Sequence, residues 1–365
     1  MNITCVIDSL GGGGAEKVMT YLASGLAKTG HNVTIVTLNS EIPDIYCVPL
    51  GVRHVKASGY SSICRWFNII SQIKRISVLR KYVAAQKPEL IISFIDITNI
   101  LVLIAFAFRR IPIIVSERIN PAFYHIGLHW ALLRKIFYLR AARVVMQTAD
   151  ALQWAKSNNP GWKTVFIPNP VVKPSYTFGR ERPQFLGNEH NILALGRLHP
   201  QKGFDLLIKV FAGLTERFPN WHLTILGEGP ERKKLESLAE KLDISGDVSF
   251  PGFSRNLYDA FRYVDLFVLS SRFEGFPNVL AEAMSCGVAC ISFDCPSGPG
   301  TIIRNGVDGL LVDNGDSAAL SVAMGTLMSD ENMRHRFAAK AVEVVERFSM
   351  EKYIDAWNKL LSSSR

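Results

Sequence analysis

The chain has 365 residues, 48% of them apolar, which is enough to bury a large core and excludes a disordered, collagen-like or disulfide-stapled protein. Its charge is divided unevenly: residues 1–180 carry 21 Lys/Arg against 8 Asp/Glu, net +13, while residues 181–365 carry 20 against 24, net −4. Six cysteines form no CxxC pair, and Cys286, Cys290 and Cys295 lack a companion histidine pair, so reduced structural thiols and no metal site are expected.

The first element is an apolar strand, Asn2–Asp8, with no secretory leader expected before it. It runs into Gly11-Gly12-Gly13-Gly14-Ala15-Glu16 and then a helix, followed by a second strand, His31–Leu38. The dinucleotide fingerprint G-x-G-x-x-G fails here: counted from Gly11 its third position is Glu16, and counted from Gly12 it is Lys17. No carboxylate ends the second strand, which closes on Asn39-Ser40. Four glycines still admit close approach of a ligand to the backbone, and the helix behind them offers free N–H groups. A tight turn with no ligand is the alternative.

Two segments of the first half interleave basic and aromatic residues, Ile63–Tyr82 and Phe123–Arg143. A membrane surface is the favoured partner for such helices, over simple core packing; nucleic acid is not expected, because no recognition motif is present. Leu90–Phe108 has the length of a membrane span, but Asp96, Thr98 and Asn99 in its middle argue for a buried strand, a polar turn and a buried helix.

Continuous apolar runs then recur in two series, as parallel strands buried on both faces should. The first series comprises Asn2–Asp8, His31–Leu38, Glu89–Phe94, Ile111–Ser116, Arg143–Gln147 and Lys163–Ile167. The second comprises Asn191–Leu195, Trp221–Leu226, Asp247–Pro251, Asp265–Leu269, Val288–Ser292 and Gly309–Val312. An α/β chain of two doubly wound, Rossmann-like domains is predicted, residues 1–172 and 191–348, joined by a Pro- and Gly-rich linker at 173–190. The helix at about 349–365 is expected to pack back on the first domain. Ligands of such sheets sit outside the carboxyl ends of the strands, so the chemistry belongs in a cleft where the two domains face each other.

Polar signals gather at strand ends of the second half. In "GRLHPQKG", Gly196 and Gly203 bend a loop carrying Arg197 and Lys202, two cations suited to a diphosphate. In "EGFPNVLAEAMSCG", a helix is predicted to start near Pro277-Asn278 and stop at Gly287, with Glu274 before it and Glu282 on it. Its N-terminal N–H groups add positive potential, and the two carboxylates would accept hydrogen bonds from sugar hydroxyls.

The order "GGGGAE", "GRLHPQKG", "LGEGPERKKLE", "PGF" and "EGFPNVLAEAMSCGVACIS" resembles the retaining nucleotide-sugar glycosyltransferases of family 4, which have the GT-B fold, over nearly the whole chain. "SFIDITN" and "SERINP" further resemble members that build bacterial surface polysaccharides or lipid-linked oligosaccharides. Glu274 and Glu282 match that family's E-x7-E pair. The resemblance implies that Arg197 and Lys202 hold the donor diphosphate, that Glu282 binds the ribose and that Glu274 contacts the donor sugar. It also implies that Gly252 and Phe253 border the base, that the Phe276, Pro277, Asn278 and Val279 backbone meets the phosphates, and that Gly13, Gly14 and Gly196 line the donor site. Where many relatives carry S-E-H, this chain has Ser116-Glu117-Arg118, so Glu117 and Arg118 become acceptor-side candidates.

The implied reaction is metal-independent transfer of a hexose or N-acetylhexosamine from a UDP-sugar, with retention, to a polyprenyl-diphosphate-linked saccharide. It would take place on the inner face of the cytoplasmic membrane, against anionic lipid, and needs no cofactor. A nucleotide-sugar 2-epimerase and a non-catalytic sugar-binding scaffold are the alternatives on the same fold.

Overall fold

The computed structural model describes residues 1–57, 69–173, 182–187, 189–253 and 257–364. Trp66, Phe67 and half of the expected linker, residues 174–181 and 188, lie outside them. The chain divides into two compact units, Met1–Pro170 with Met350–Arg365, and Val171–Ser349.

In chain order the first unit contains β1 (Asn2–Ile7), α1 (Gly14–Lys28), β2 (Asn32–Thr37), β3 (Val52–Lys56), α2 (Ile69–Ala84), β4 (Leu90–Phe94) and α3 (Asp96–Ala105). It continues with β5 (Ile113–Ser116), α4 (Leu128–Phe137), β6 (Arg143–Met146), α5 (Ala149–Asn158) and β7 (Thr164–Phe166). The strands form one parallel sheet in the order β3-β2-β1-β4-β5-β6-β7, which reverses direction of growth between β1 and β4. Residues 90–108 form a strand and a short helix, and among the described residues no helix is long and apolar enough to cross a membrane.

Strand β3 is the element the sequence did not announce. Its residues, Val52-Arg53-His54-Val55-Lys56, are half-buried or exposed on the sheet edge, so they lack the apolar run that marks the central strands. It is held by register with β2, Val33 opposite Val52 through Thr37 opposite Lys56, and by the Thr37 hydroxyl against His54 Nε2 at 3.0 Å.

The second unit contains β8 (His190–Leu195), α6 (Phe204–Ala212), β9 (Trp221–Leu226), α7 (Arg232–Lys241), β10 (Val248–Gly252), α8 (Leu257–Ala260) and β11 (Leu266–Leu269). After these come α9 (Asn278–Ser285), β12 (Ala289–Asp294), α10 (Pro299–Ile302), β13 (Leu310–Asp313), α11 (Ser317–Ser329), α12 (Glu331–Ala341) and α13 (Val344–Arg347). Its parallel sheet runs β10-β9-β8-β11-β12-β13, again with a reversal, here between β8 and β11.

The last helix, α14 (Met350–Ser362), belongs to the first unit. Its apolar face meets α1, where a side chain at Gly25 would overlap Ile354, and Trp357 is wholly buried 6.3 Å from the Phe94 ring. Glycine at position 25 thus lets the two helices approach with Ile354 in place, and a larger residue there would force that side chain to shift.

Candidate active site

Around the reversal of the second sheet, the loop after β8 is stitched to the loop after β11. The Arg272 guanidinium grips Asp205 through both carboxylate oxygens, at 3.0 and 2.8 Å, the Arg272 N–H donates to the Gln201 carbonyl at 2.8 Å, and Gln201 Nε2 donates to the Phe273 carbonyl at 2.9 Å. The Ser270 hydroxyl donates to the Lys202 carbonyl at 2.9 Å. These bonds bring together two residues 72 apart: Lys202 Nζ lies 2.6 Å from Glu274 Oε1, which also accepts from the Ser271 hydroxyl at 2.6 Å.

Glycines make this closeness possible. A Cβ on Gly196 would stand 2.9 Å from Cε of Lys202, whose stem crosses it, and a Cβ on Gly203, at φ +64°, would fall on the Ser270 carbonyl oxygen. Gly227, at φ +140°, presses against the Gly196 carbonyl in the same way, and Gly298 against Pro277 and the Gly275 carbonyl. Neither Gly227 nor Gly298 was singled out from the sequence; "LGEGPERKKLE" and "PSGPG" carried the signal, but which backbones touch is a tertiary fact.

Arg197 follows Gly196 and is exposed, with no ion pair or hydrogen bond among the described residues. Helix α9 starts at Asn278 after Pro277 and ends before Gly287, and no side chain caps its N-terminus. The Phe276 ring turns into the core against Phe348 at 5.4 Å, so this residue offers backbone to a ligand, and Val279 is partly buried against the same cluster. Glu282 is half-buried on α9. At the end of β10, Gly252 has φ +84° and faces Glu228, which pairs with Arg232 at 2.5 Å; Phe253 beside it is exposed. Arg197, Lys202, Glu274, Gly252 and Phe253 thus all lie at carboxyl ends of neighbouring strands.

The glycine run of the first unit is packed from one side. Ile42 and Ile45 sit where side chains on Gly11 and Gly12 would project, and the Tyr46 hydroxyl donates to the Gly12 carbonyl at 3.2 Å. Gly13 and Gly14 are exposed at the uncapped start of α1, but the Glu16 carboxylate folds back over Gly13. Burial raises the Glu16 pKa, as does Asp8, against the pull of its own N–H and of Arg118.

Glu117 and Arg118, the acceptor-side candidates, are both held by neighbours within the first unit. Glu117 is buried: the Tyr138 hydroxyl donates to its Oε1 at 2.7 Å, and Arg134 stands 3.7 Å away. Asn99 completes this core group by donating to the Tyr138 oxygen at 3.1 Å and to the Ser116 carbonyl at 3.0 Å. Arg118 lies over the Phe94 ring, 4.3 Å from its centroid, and donates to Asn169 Oδ1 at 2.8 Å; the Gln147 amide, with its oxygen turned inward, accepts from it as well. Burial lowers the Arg118 pKa to about 10, with Tyr353 and Glu16 opposing, so it stays cationic. Both side chains are thereby committed to neighbours from β4, α3, α4 and the ends of β6 and β7, contacts far apart in sequence.

Desolvation raises the Glu117 pKa from 4.5 to about 7, Arg134 and the Tyr138 bond opposing and Asp96 reinforcing. A carboxyl that holds its proton more tightly when folded contributes stability fully present below pH 4.5 and lost as pH rises through about 7. Raising the pH from 5 to 8 should therefore weaken the first unit of the wild type, by up to about 3 kcal/mol, relative to Glu117→Gln. Urea unfolding followed by hydrogen exchange in first-unit peptides checks this; parallel pH profiles for the two proteins would contradict it.

The profile of Glycosyltransferase Family 4 matches residues 12–172, and that of Glycosyl transferases group 1 matches residues 177–344. The chain belongs to the family 4 glycosyltransferases. This glycosyltransferase is 27% identical over 366 residues, 99% of this chain and 98% of the other, to the Campylobacter jejuni GalNAc-alpha-(1->4)-GalNAc-alpha-(1->3)-diNAcBac-PP-undecaprenol alpha-1,4-N-acetyl-D-galactosaminyltransferase. It is 25% identical to the Erwinia amylovora amylovoran biosynthesis glycosyltransferase AmsD, over 96% of each chain. Its fold is that of Anabaena HepE, solved in complex with UDP and glucose, at a TM-score of 0.80, 20% identity and 99% coverage of both chains. Sucrose-phosphate synthase of Thermosynechococcus elongatus has the same GT-B fold, at a TM-score of 0.82 and 19% identity, over 99% of this chain and 98% of the other.

Proposed function

We propose that this glycosyltransferase moves a hexose or N-acetylhexosamine, with retention, from a UDP-sugar to a polyprenyl-diphosphate-linked saccharide in surface-polysaccharide or oligosaccharide synthesis. The observation that carries the reading is the Lys202–Glu274 pair, held by two stitched loops beside Arg197 at the ends of adjacent strands. The names of the Campylobacter relative, which acts on an undecaprenyl-diphosphate-linked acceptor, and of HepE, with bound UDP, support the acceptor and donor classes.

In this reading the diphosphate lies against Arg197, Lys202 and the uncapped start of α9. The bond between the anomeric carbon and the β-phosphate oxygen breaks while the acceptor hydroxyl oxygen bonds to that carbon on the same face, and its proton passes to the departing phosphate oxygen. Negative charge grows on the diphosphate, where the two cations stabilise it without metal. Glu274 meets the sugar hydroxyls, Glu282 the ribose, and Gly252 with Phe253 the base. Gly13 and Gly14 offer backbone to sugar, because the Glu16 carboxylate over Gly13 opposes a second anion there.

The carboxylate roles separate in a binding measurement. Glu282→Ala should weaken UDP by about tenfold or more, the worth of a hydrogen bond to a charged group. Glu274→Ala should leave UDP affinity nearly unchanged, since it releases Lys202 toward the phosphates, yet it should impair transfer. Calorimetry decides, and equal losses in both variants would contradict the assignment. Incubation with radiolabelled UDP- and GDP-sugars and a membrane lipid extract tests the reaction: label in the lipid fraction from UDP-sugar, with the donor's anomeric configuration, is expected. Free sugar alone, epimerised donor, or inverted product would overturn it.

A further inference from the structure

Glu274 is held from three different strand ends of the second unit. Its backbone N–H donates to the Pro296 carbonyl at 3.4 Å, in the loop after β12. Its Oε1 lies 2.6 Å from Lys202 Nζ, in the loop after β8, and accepts at 2.6 Å from the hydroxyl of Ser271, just after β11. Lys202 stood out in the sequence as a cation between glycines. Ser271 did not, because a lone serine after a strand carries no signal of its own.

Ser270 and Ser271 leave β11 side by side, and successive side chains on an extended backbone point opposite ways. Ser270 donates to the Lys202 carbonyl at 2.9 Å and so fixes main chain, whereas Ser271 fixes a side chain of the site itself. Ser271 is wholly buried and Glu274 only 7% exposed. A buried hydroxyl finds an acceptor in any well-packed protein, and a main-chain carbonyl is the usual one. Ser271 donates instead to one particular oxygen of the carboxylate on which the site depends.

The two oxygens of Glu274 are unequally engaged. A carboxylate has about four acceptor positions, two on each oxygen. Lys202 and Ser271 fill those of Oε1, while Oε2 accepts no hydrogen bond among the described residues. Lys202 also answers to a second group, since its ammonium faces the diphosphate in the reading above. Ser271, buried, answers to Glu274 alone.

We propose that Ser271 is a positioning residue for the transfer step. It keeps Oε1 of Glu274 in place as growing charge on the diphosphate draws Lys202 away, so that Oε2 meets a hydroxyl of the donor sugar. This inference rests on the role given to Glu274 under the proposed function.

The test combines calorimetry with UDP and steady-state transfer from whichever UDP-sugar labels the lipid fraction. Ser271→Ala should lower kcat by about tenfold or more, the worth of a hydrogen bond to a charged group, and leave UDP affinity unchanged. Ser271→Cys, which keeps a weaker donor in nearly the same volume, should recover part of the rate. Added to Glu274→Ala, Ser271→Ala should cost nothing further, because it acts only through that carboxylate. A serine that serves packing alone would act equally in both backgrounds. Such additivity, a normal kcat in Ser271→Ala, or a parallel loss of UDP affinity would overturn the proposal and leave the role of Glu274 standing. Normal transfer by Glu274→Ala would instead remove the functional reading, and this inference with it.

Discussion

Lys202→Ala should lower turnover at saturating donor by about 10²-fold or more, the usual cost of removing one electrostatic donor from developing transition-state charge. Two effects combine in this variant. The cation is lost, and Glu274, buried and sharing its Oε1 between Lys202 and Ser271, is left with a hydroxyl alone and turns its charge on the diphosphate. The double variant Lys202→Ala/Glu274→Ala removes that second term, so its loss should be smaller than the product of the two single losses. Lys202→Arg should recover only part of the rate, because the Lys202 stem is fitted closely over Gly196. Arg197→Ala has no such complication, since Arg197 has no protein partner among the described residues, and it should also fall by about 10²-fold. Steady-state transfer assays measure all four, and near-normal turnover in Lys202→Ala would remove this residue from the site.

The second large effect is on stability. Gly227→Ala places a Cβ on the Gly196 carbonyl oxygen at a φ of +140°, so both strain and overlap oppose it, and neither contact atom is a flexible side-chain end. A loss of about 3 kcal/mol or more in the second unit is expected. Gly246→Ala is the control: nothing lies within 4 Å of its added methyl group and its φ is not positive, so its effect should stay within about 0.5 kcal/mol. The two units need not unfold together, so hydrogen exchange in peptides covering β8 and β9 is the appropriate reading. Equal protection in Gly227→Ala and wild type would show that the two backbones separate without cost.

The central strands were legible because a parallel strand covered on both faces reads as a near-continuous apolar run: β11 is wholly apolar, and β4 departs from it only at Ser93, β1 at Asn2 and Thr4, and β9 at His222 and Thr224. The start of α9 at Asn278 and its stop before Gly287 follow equally from Pro277 and from a glycine that tolerates φ +76°. The family was legible for the same kind of reason, since its motifs are short runs of local chemistry at strand ends.

What the sequence could not determine was any property that depends on a neighbour far along the chain. Edge strand β3 is polar and identified only by its pairing with β2. Glu117 and Arg118 stand in a motif that made them acceptor-side candidates, but that Tyr138, Arg134 and Asn169 would be their partners was not readable from it. The Lys202 contact with Glu274 spans 72 residues and exists because Arg272 and Gln201 fasten one loop to the other. The same holds for α4, whose sequence contains both leucines and an arginine at helical spacing. Leu133 packs against the core of the first unit while Leu128 and Leu132 stay exposed and Arg134 is buried beside Glu117, an orientation that the spacing of these residues does not by itself fix.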